Sequence, residues 1–155
     1  IGQFDCRELE VVVDLDAAIV TSSHPVGGDA YGLGVQRDGS RAFAAQVHAA
    51  NVSRIGFSPP SVQTAGFAFT SHGAALSADG RTLYVAVRNG SEVAVVDAAT
   101  MTEGPRITGL SNPGGIHVDP QGRYVAVTNY GVPRLTVIQL PGGVQRHVPM
   151  PGTGG

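Results

Sequence analysis

The sequence predicts an all-β protein that is built from repeated units of short strands. Glycine and proline are abundant, with 22 and 10 copies among 155 residues, whereas only 14% of the residues are charged. An average soluble domain has about 25% charged residues. This excess of turn-forming residues over charged ones indicates many short strands that are joined by tight turns.

A repeat is marked by one glycine in each of three turns. The segments YGLGVQRDGSRAFAAQV, HGAALSADGRTLYVAV and GGIHVDPQGRYVAVTN align on Gly39, Gly80 and Gly122, which are 41 and 42 residues apart. Each segment has a short apolar run, an Asp-Gly or Gln-Gly turn and a second apolar run. Glycine suits these turns because tight hairpins require a positive φ.

Third apolar runs complete the units and set their boundaries. EVAVVDAAT follows in the second unit and RLTVIQLPGG in the third, and LEVVVDLDAA, ahead of the first complete unit, has the same character. Residues 1–29 are therefore expected to form the latter half of a unit. Complete units are expected at 30–71, 72–112 and 113–155, the last with a C-terminal tail, and together they form one partial domain.

The length of the repeat predicts the architecture. A period of about 40–45 residues that contains four short strands is typical of a β-propeller blade. Runs such as LYVAV and LTVIQL are too short and too rich in β-branched residues for helical repeats. We therefore expect about fourteen strands in four-stranded antiparallel blades, or about three and a half blades, with no helix. Typical propellers have at least four blades, so the chain is expected to be part of a larger ring.

Two segments carry a resemblance to a known family. LYVAVRN (Leu83–Asn89) and YVAVTN (Tyr124–Asn129), each after a DGR or QGR turn, resemble the YVTN-type β-propeller repeat. VAVVDAAT is similar to the third strand of that repeat and the turn after it, whereas the first unit has AFAAQVHAAN in place of the signature. The resemblance implies a ring of blades around a central channel. It also implies an extracytoplasmic location, since such proteins include surface-layer and periplasmic proteins, with lactonase-like and quinoprotein enzymes as more distant relatives.

The favoured function is a non-catalytic binding or structural scaffold within a larger protein or complex. One alternative is part of a hydrolase-like or redox propeller enzyme, with its site in the central channel and residues or a cofactor supplied by other chains. Another is a purely architectural piece of a surface layer. The sequence lacks Gly-x-Ser-x-Gly and Gly-x-x-x-x-Gly-Lys, so no catalytic residue and no cofactor of its own are predicted.

The expected partner is a protein that completes the ring, or another copy of this chain. A half-ring would expose strand edges and apolar blade faces that need a neighbour. The net charge of −2 and the pI near 6.2 provide no electrostatic basis for binding nucleic acid. No apolar run approaches the ~18 residues of a transmembrane helix. The single cysteine, Cys6, is either a small buried hydrophobic residue or a bridge to another chain.

The loops at one end of the blades are predicted to form a ligand-binding face. In a propeller, the loops that link blades and the loops between second and third strands open at the same end. Polar and aromatic residues in those loops are Tyr31, His48, His72, Arg88, Asn89, Asn112, Asn129 and Tyr130. The alternative is that they are ordinary loop residues, with the asparagines selected for turn geometry.

The five histidines do not predict a symmetric metal site, because they occupy different positions of the repeat. His72 aligns with Tyr31 and Gly114, which are not metal ligands of the same type. No metal site is therefore predicted, and His24 and His72 are the weak candidates for one.

Aromatic residues in the second strands predict how neighbouring blades pack. Phe43, Tyr84 and Tyr124 are expected at equivalent positions, where packing between adjacent blades would bury their rings.

Overall fold

The structure is a computed structural model that describes residues 9–14, 16 and 18–151. These residues form thirteen β-strands and no helix, which confirms the all-β prediction. Cys6 and part of the predicted half-unit lie outside the described residues. The strands are β1 (Leu9–Asp14), β2 (Ile19–Pro25), β3 (Ala30–Val35), β4 (Arg41–Gln46), β5 (Asn51–Phe57), β6 (Pro60–Gly66), β7 (Ser71–Leu76), β8 (Thr82–Val87), β9 (Val93–Asp97), β10 (Pro113–Val118), β11 (Tyr124–Asn129), β12 (Arg134–Gln139) and β13 (Val144–Pro149).

The strands form four antiparallel sheets, each made of strands that are consecutive in the chain. β1 and β2 form a two-stranded sheet, and three larger sheets follow it: the first blade (β3–β6), the second blade (β7–β9) and the third blade (β10–β13). The first strands of the three blades lie side by side. This is the arrangement of a β-propeller segment, with three consecutive blades and half of another before them. None of the described residues belongs to a helix that could cross a lipid bilayer.

The second blade has an interrupted fourth strand, unlike the four-stranded blade that the repeat predicted. Only two isolated bridges, Val93 with Ile107 and Val96 with Glu103, join this segment to β9. Gly104 and Pro105 lie between the bridges. Proline has no N–H group for a β-ladder, and glycine weakens a strand, so regular pairing stops there.

Glycines allow the first strands of adjacent blades to approach closely. A Cβ on Gly32 would lie 2.3 Å from the backbone nitrogen of Ala74, and a Cβ on Gly73 would lie 2.8 Å from the carbonyl oxygen of Gly114. Neither distance is compatible with a side chain, so the backbones of β3, β7 and β10 pack directly against each other.

Apolar side chains fill the spaces between the blades. Phe43 and Leu83, both fully buried, belong to the core between the first and second blades. Tyr84, only 7% exposed, and Val125 belong to the core between the second and third blades. The predicted burial of Phe43 and Tyr84 is therefore confirmed.

The predicted equivalence of Tyr124 with these two rings is wrong. Tyr84 is the fourth residue after its turn glycine, whereas Tyr124 is the second, so Tyr124 corresponds to Thr82. Both second strands begin two residues after the turn glycine, but YVAV starts at the first residue of β11 and at the third residue of β8, which is a shift of two residues. A shift of two keeps Tyr124 on the corresponding sheet face. Its ring is 40% exposed because no described blade covers that face.

Candidate functional site

The two groups of loops that were predicted to form a binding face do meet at one end of the blades. In each blade, the first residue of the first strand pairs with the last residue of the second strand: Ala30 with Gln46, Ser71 with Val87, and Pro113 with Asn129. The loop that enters each blade therefore lies beside the loop that follows its second strand.

Each first strand has a β-bulge at this end. Ala30 and Gly32 pair with the adjacent residues Gln46 and Ala45, which leaves Tyr31 as the extra residue. In the second blade, His72 is the extra residue in the same way. Bulges redirect side chains and are common beside functional sites, so the backbone presents Tyr31 and His72 at equivalent points.

Three rings from successive blades form a row at this end, which we call the aromatic row (Tyr31, His72 and Tyr130). The ring centres of Tyr31 and His72 are 6.2 Å apart, and those of His72 and Tyr130 are 5.2 Å apart with nearly perpendicular planes. Tyr130 comes from the loop after β11, because the bulge position of the third blade is Gly114.

A cavity of about 360 Å³ lies between the first and second blades, and we call it the interblade cavity. Its wall combines charged, aromatic and aliphatic groups from both blades. The lining residues are Asp29, Ala30, Tyr31, Val47, His48, His72 and Arg88. Four of the eight predicted site residues therefore line one cavity, and Tyr130 contacts one of them.

The cavity has a hydrogen-bonded pair of His48 and Asp29 at its rim and, in its wall, a cation, Arg88, that is unpaired among the described residues. Nδ1 of His48 lies 2.9 Å from Oδ2 of Asp29, and the two side chains are 66% and 31% exposed, so this pair lies at the rim. Arg88 makes no ion pair within the described chain, and its Nη1 donates only a long bond of 3.4 Å to the carbonyl of Val47. Nε of Arg88 and Nδ1 of His72 are buried and have no described partner.

The three predicted asparagines stabilise the backbone of these loops, through positive φ values or through hydrogen bonds to backbone groups. Asn89 and Asn112 have positive φ values of 57° and 46°, and the backbone N–H of Asn89 donates to Oδ1 of Asn112 at 3.0 Å. Asn129 is buried and accepts a 2.9 Å bond from the N–H of Ser111. Asparagine tolerates the left-handed conformation and bonds to nearby backbone groups, which was the alternative interpretation of these residues.

Asp29 and Val47 are cavity residues that were not predicted. Both could have been found by repeat position, because Asp29 and Asn112 each precede their turn glycine by ten residues. In the same way, Val47, Arg88 and Tyr130 each follow their turn glycine by eight residues. If the repeat position of each predicted residue had been examined in all units, Asp29 and Val47 would have been included.

The two histidines named as weak metal candidates have separate surroundings. His24 is buried, with Nε2 3.0 Å from the hydroxyl of Ser22 and its ring edge-on to Phe57. His72 lies between Tyr31 and Tyr130. Among the residues that the structure describes, no group of three His, Cys, Asp or Glu side chains could hold a metal ion.

Comparison with solved structures shows the same fold at low sequence identity. A Kuenenia stuttgartiensis hydrazine synthase matches 91% of this chain with a TM-score of 0.76 and 20% identity. A structure titled dihydro-heme d1 dehydrogenase NirN in complex with DHE matches 94% with a TM-score of 0.76 and 15% identity. The chain spans 43% and 33% of those two chains. Such identities support a β-propeller segment and no particular activity, because one fold hosts many functions.

No protein-family model and no curated protein matches the sequence.

Proposed function

We propose that the chain is a segment of a larger β-propeller and acts as an extracytoplasmic binding scaffold. The end of the blades that carries the aromatic row is its ligand-binding face. The extracytoplasmic location is supported by the resemblance of Leu83–Asn89 and Tyr124–Asn129 to the YVTN-type repeat.

The observation that carries this proposal is the pair of equivalent bulges at Tyr31 and His72. They bring two rings to the wall of a cavity that also contains Arg88 and Asp29. Ligand sites are typically concave, with apolar walls and a few convergent polar groups. Tyr31 is 68% exposed and Tyr130 is 63% exposed. Neither ring belongs to the hydrophobic core, so both are available for contact with a ligand.

The scaffold part of the proposal is supported by the exposed face of the third blade. Val144 and Val148 are 58% and 47% exposed, and they lie with Tyr124 and Val137 around one groove. The corresponding face of the second blade carries Tyr84, which the third blade covers.

The first blade has an exposed apolar face as well. Leu33 and Val35 are 48% and 52% exposed, whereas Ala74, at the position of Leu33 in the second blade, is 8% exposed. A protein partner with similar blades, or a second copy of this chain, would bury both terminal faces.

The test of the binding face is a fragment screen against the purified protein with any co-purifying partner retained. Binding is followed by thermal shift and by two-dimensional NMR. Fragments that bind are expected to lose binding in Tyr31→Ala and in His72→Ala. The Tyr124→Ala variant is the matched control because it removes an exposed tyrosine from a different face, and it should keep binding. Equal binding to all four proteins would refute the proposed face.

A second candidate is a propeller enzyme of redox or hydrolase-like chemistry. Both solved structures are named as enzymes, and the cavity wall holds an imidazole, His72, whose buried Nδ1 has no described partner. Elemental and spectroscopic analysis of the purified protein separates the candidates. Stoichiometric copper, iron or calcium would favour the enzyme.

A further inference from the structure

We propose that the interblade cavity binds a small aromatic monocarboxylate. Arg88 would hold the carboxylate, and Tyr31 and His72 would contact the ring of the ligand. This inference rests on the proposed binding function and specifies the ligand class for the same site.

The charge of the ligand follows from Arg88. This guanidinium lines the cavity and is half-buried, yet no carboxylate pairs with it in the described part of the chain. Its one described acceptor, the carbonyl of Val47, is at the long distance of 3.4 Å. Arginine donors fit the two oxygens of a carboxylate in a bidentate manner, and charge-assisted hydrogen bonds of this kind are strong. A carboxylate would therefore supply both the missing charge and the missing acceptors.

The limit to one negative charge follows from Asp29. Its carboxylate shares the cavity wall with Arg88 and is paired with His48 at the rim. Arg88 can balance one negative charge on the ligand, whereas a second one would meet no other unpaired cation among the described lining residues and would be repelled by Asp29. A monocarboxylate is therefore favoured over a phosphate or a dicarboxylate.

The ring of the ligand follows from the size and walls of the cavity. About 360 Å³ is near the lower end of the range of roughly 300–1,000 Å³ that is typical of small-molecule sites. Tyr31 presents an exposed ring, His72 lies beside it, and Val47 adds an aliphatic surface. Aromatic pairs gain energy beyond simple burial, so a planar ring fits these walls better than an alkyl chain.

The test is isothermal titration of the purified protein, with any co-purifying partner retained, using benzoate, benzamide and acetate. Benzoate is expected to bind at least about tenfold more tightly than benzamide, which has the same ring without the charge. Acetate, which has the charge without the ring, should also bind more weakly. Arg88→Gln should remove the preference for benzoate over benzamide, and Arg88→Lys should restore part of it.

Two controls separate a specific effect from a general one. Arg81→Gln removes an arginine beside the turn at the opposite end of the second blade and should leave benzoate binding unchanged. Circular dichroism should show that Arg88→Gln retains the fold.

The outcomes distinguish the ligand class from the binding function. If benzamide binds as tightly as benzoate, and Tyr31→Ala abolishes both, the carboxylate inference is overturned and the binding face stands. If Arg88→Gln binds benzoate as well as the wild type does, the assigned role of Arg88 is wrong. If none of the three compounds binds, and the fragment screen also finds no ligand, both proposals fail.

Discussion

The ring of Tyr130 occupies the space where a side chain on Gly114 would lie. A Cβ on Gly114 would come within 2.0 Å of Cε2 of that ring. Gly114 has the repeat position of Tyr31 and His72, since all three precede their turn glycine by eight residues. The missing side chain of the third blade is therefore replaced by a ring from the neighbouring loop. This ring lies over Gly114 and beside His72, at the place between the second and third blades that corresponds by repeat position to the interblade cavity.

Gly114→Ala is expected to displace the ring of Tyr130 and to separate it from His72. A methyl group would overlap ring atoms, and because this ring is 63% exposed and can swing away, the expected cost is only about 1 kcal/mol of unfolding free energy. Chemical denaturation measures the loss, and NMR shifts of the His72 ring protons report the lost contact. Gly142→Ala is the control, because a Cβ there meets no atom within 4 Å. Equal stabilities for the two variants would contradict the observed packing.

Tyr84→Ala is expected to lower the free energy of unfolding by roughly 3 kcal/mol or more. The ring is 7% exposed between two blades, and deleting such a ring leaves a cavity. Tyr124→Ala is the matched control, since the same residue type is 40% exposed on the corresponding face of the third blade. In the protein without a bound partner, Tyr124→Ala should cost less than about 1 kcal/mol. Similar losses in the two variants would show that the third blade is covered as the second one is.

Val148→Arg is expected to prevent the assembly of the ring. The substitution places a charge on the apolar groove of the third blade, where burial without a counter-charge is costly. Native mass spectrometry should show the wild type in a complex and the variant as a chain near 15.9 kDa. Val132→Arg, at an exposed valine in the loop between β11 and β12 and outside this groove, should leave the complex intact. A wild-type protein that is monomeric and unfolds cooperatively would contradict the need for a partner.

Asp97→Asn is expected to reduce the loss of stability in acid. Hydrogen bonds from the backbone N–H and hydroxyl of Thr100, and from the backbone of Ala99, lower the pKa of Asp97 below its usual 3.8. A lowered pKa in the folded state stabilises the protein above pH 3.8, and this contribution disappears as the pH falls through the folded value. Denaturation midpoints between about pH 2 and 6 measure the effect. Parallel pH profiles for the two proteins would contradict it.

The candidate site was predicted only as far as repeat position and local turn chemistry allow. Tyr31 and His72 could be placed at one end of the blades, because antiparallel strands of known order bring their loops together. Asn89 and Asn112 fall at the same end, but their side chains and positive φ values serve the turns. Whether an asparagine binds a ligand or its own backbone depends on neighbouring loops, and one residue type is compatible with both roles.

The register of the third blade shows where alignment by identical residues fails. The shared string YVAV placed Tyr124 with Tyr84, although the residue counts from Gly122 and Gly80 place it with Thr82. Both second strands begin two residues after the turn glycine, so strand register follows the turn and not the shared string. The turn glycines are the better reference because their position has a strict backbone requirement.

The sequence by itself determined the blades and their order. The turns at Gly39, Gly80 and Gly122 have φ values of 69°, 73° and 69°, and each N–H closes its turn on the carbonyl three residues earlier. Turn closure and the alternation of apolar residues are local properties, so they can be inferred from the residues themselves.

Only the tertiary structure decided which space between blades is open. Val47 and Tyr130 have the same repeat position, yet a cavity remains beside Val47, whereas the ring of Tyr130 fills the space over Gly114. The difference depends on the volume of side chains that meet across two blades and are distant in the chain. Packing between blades is a non-local property, so no single repeat contains the information that separates an open cavity from an occupied space.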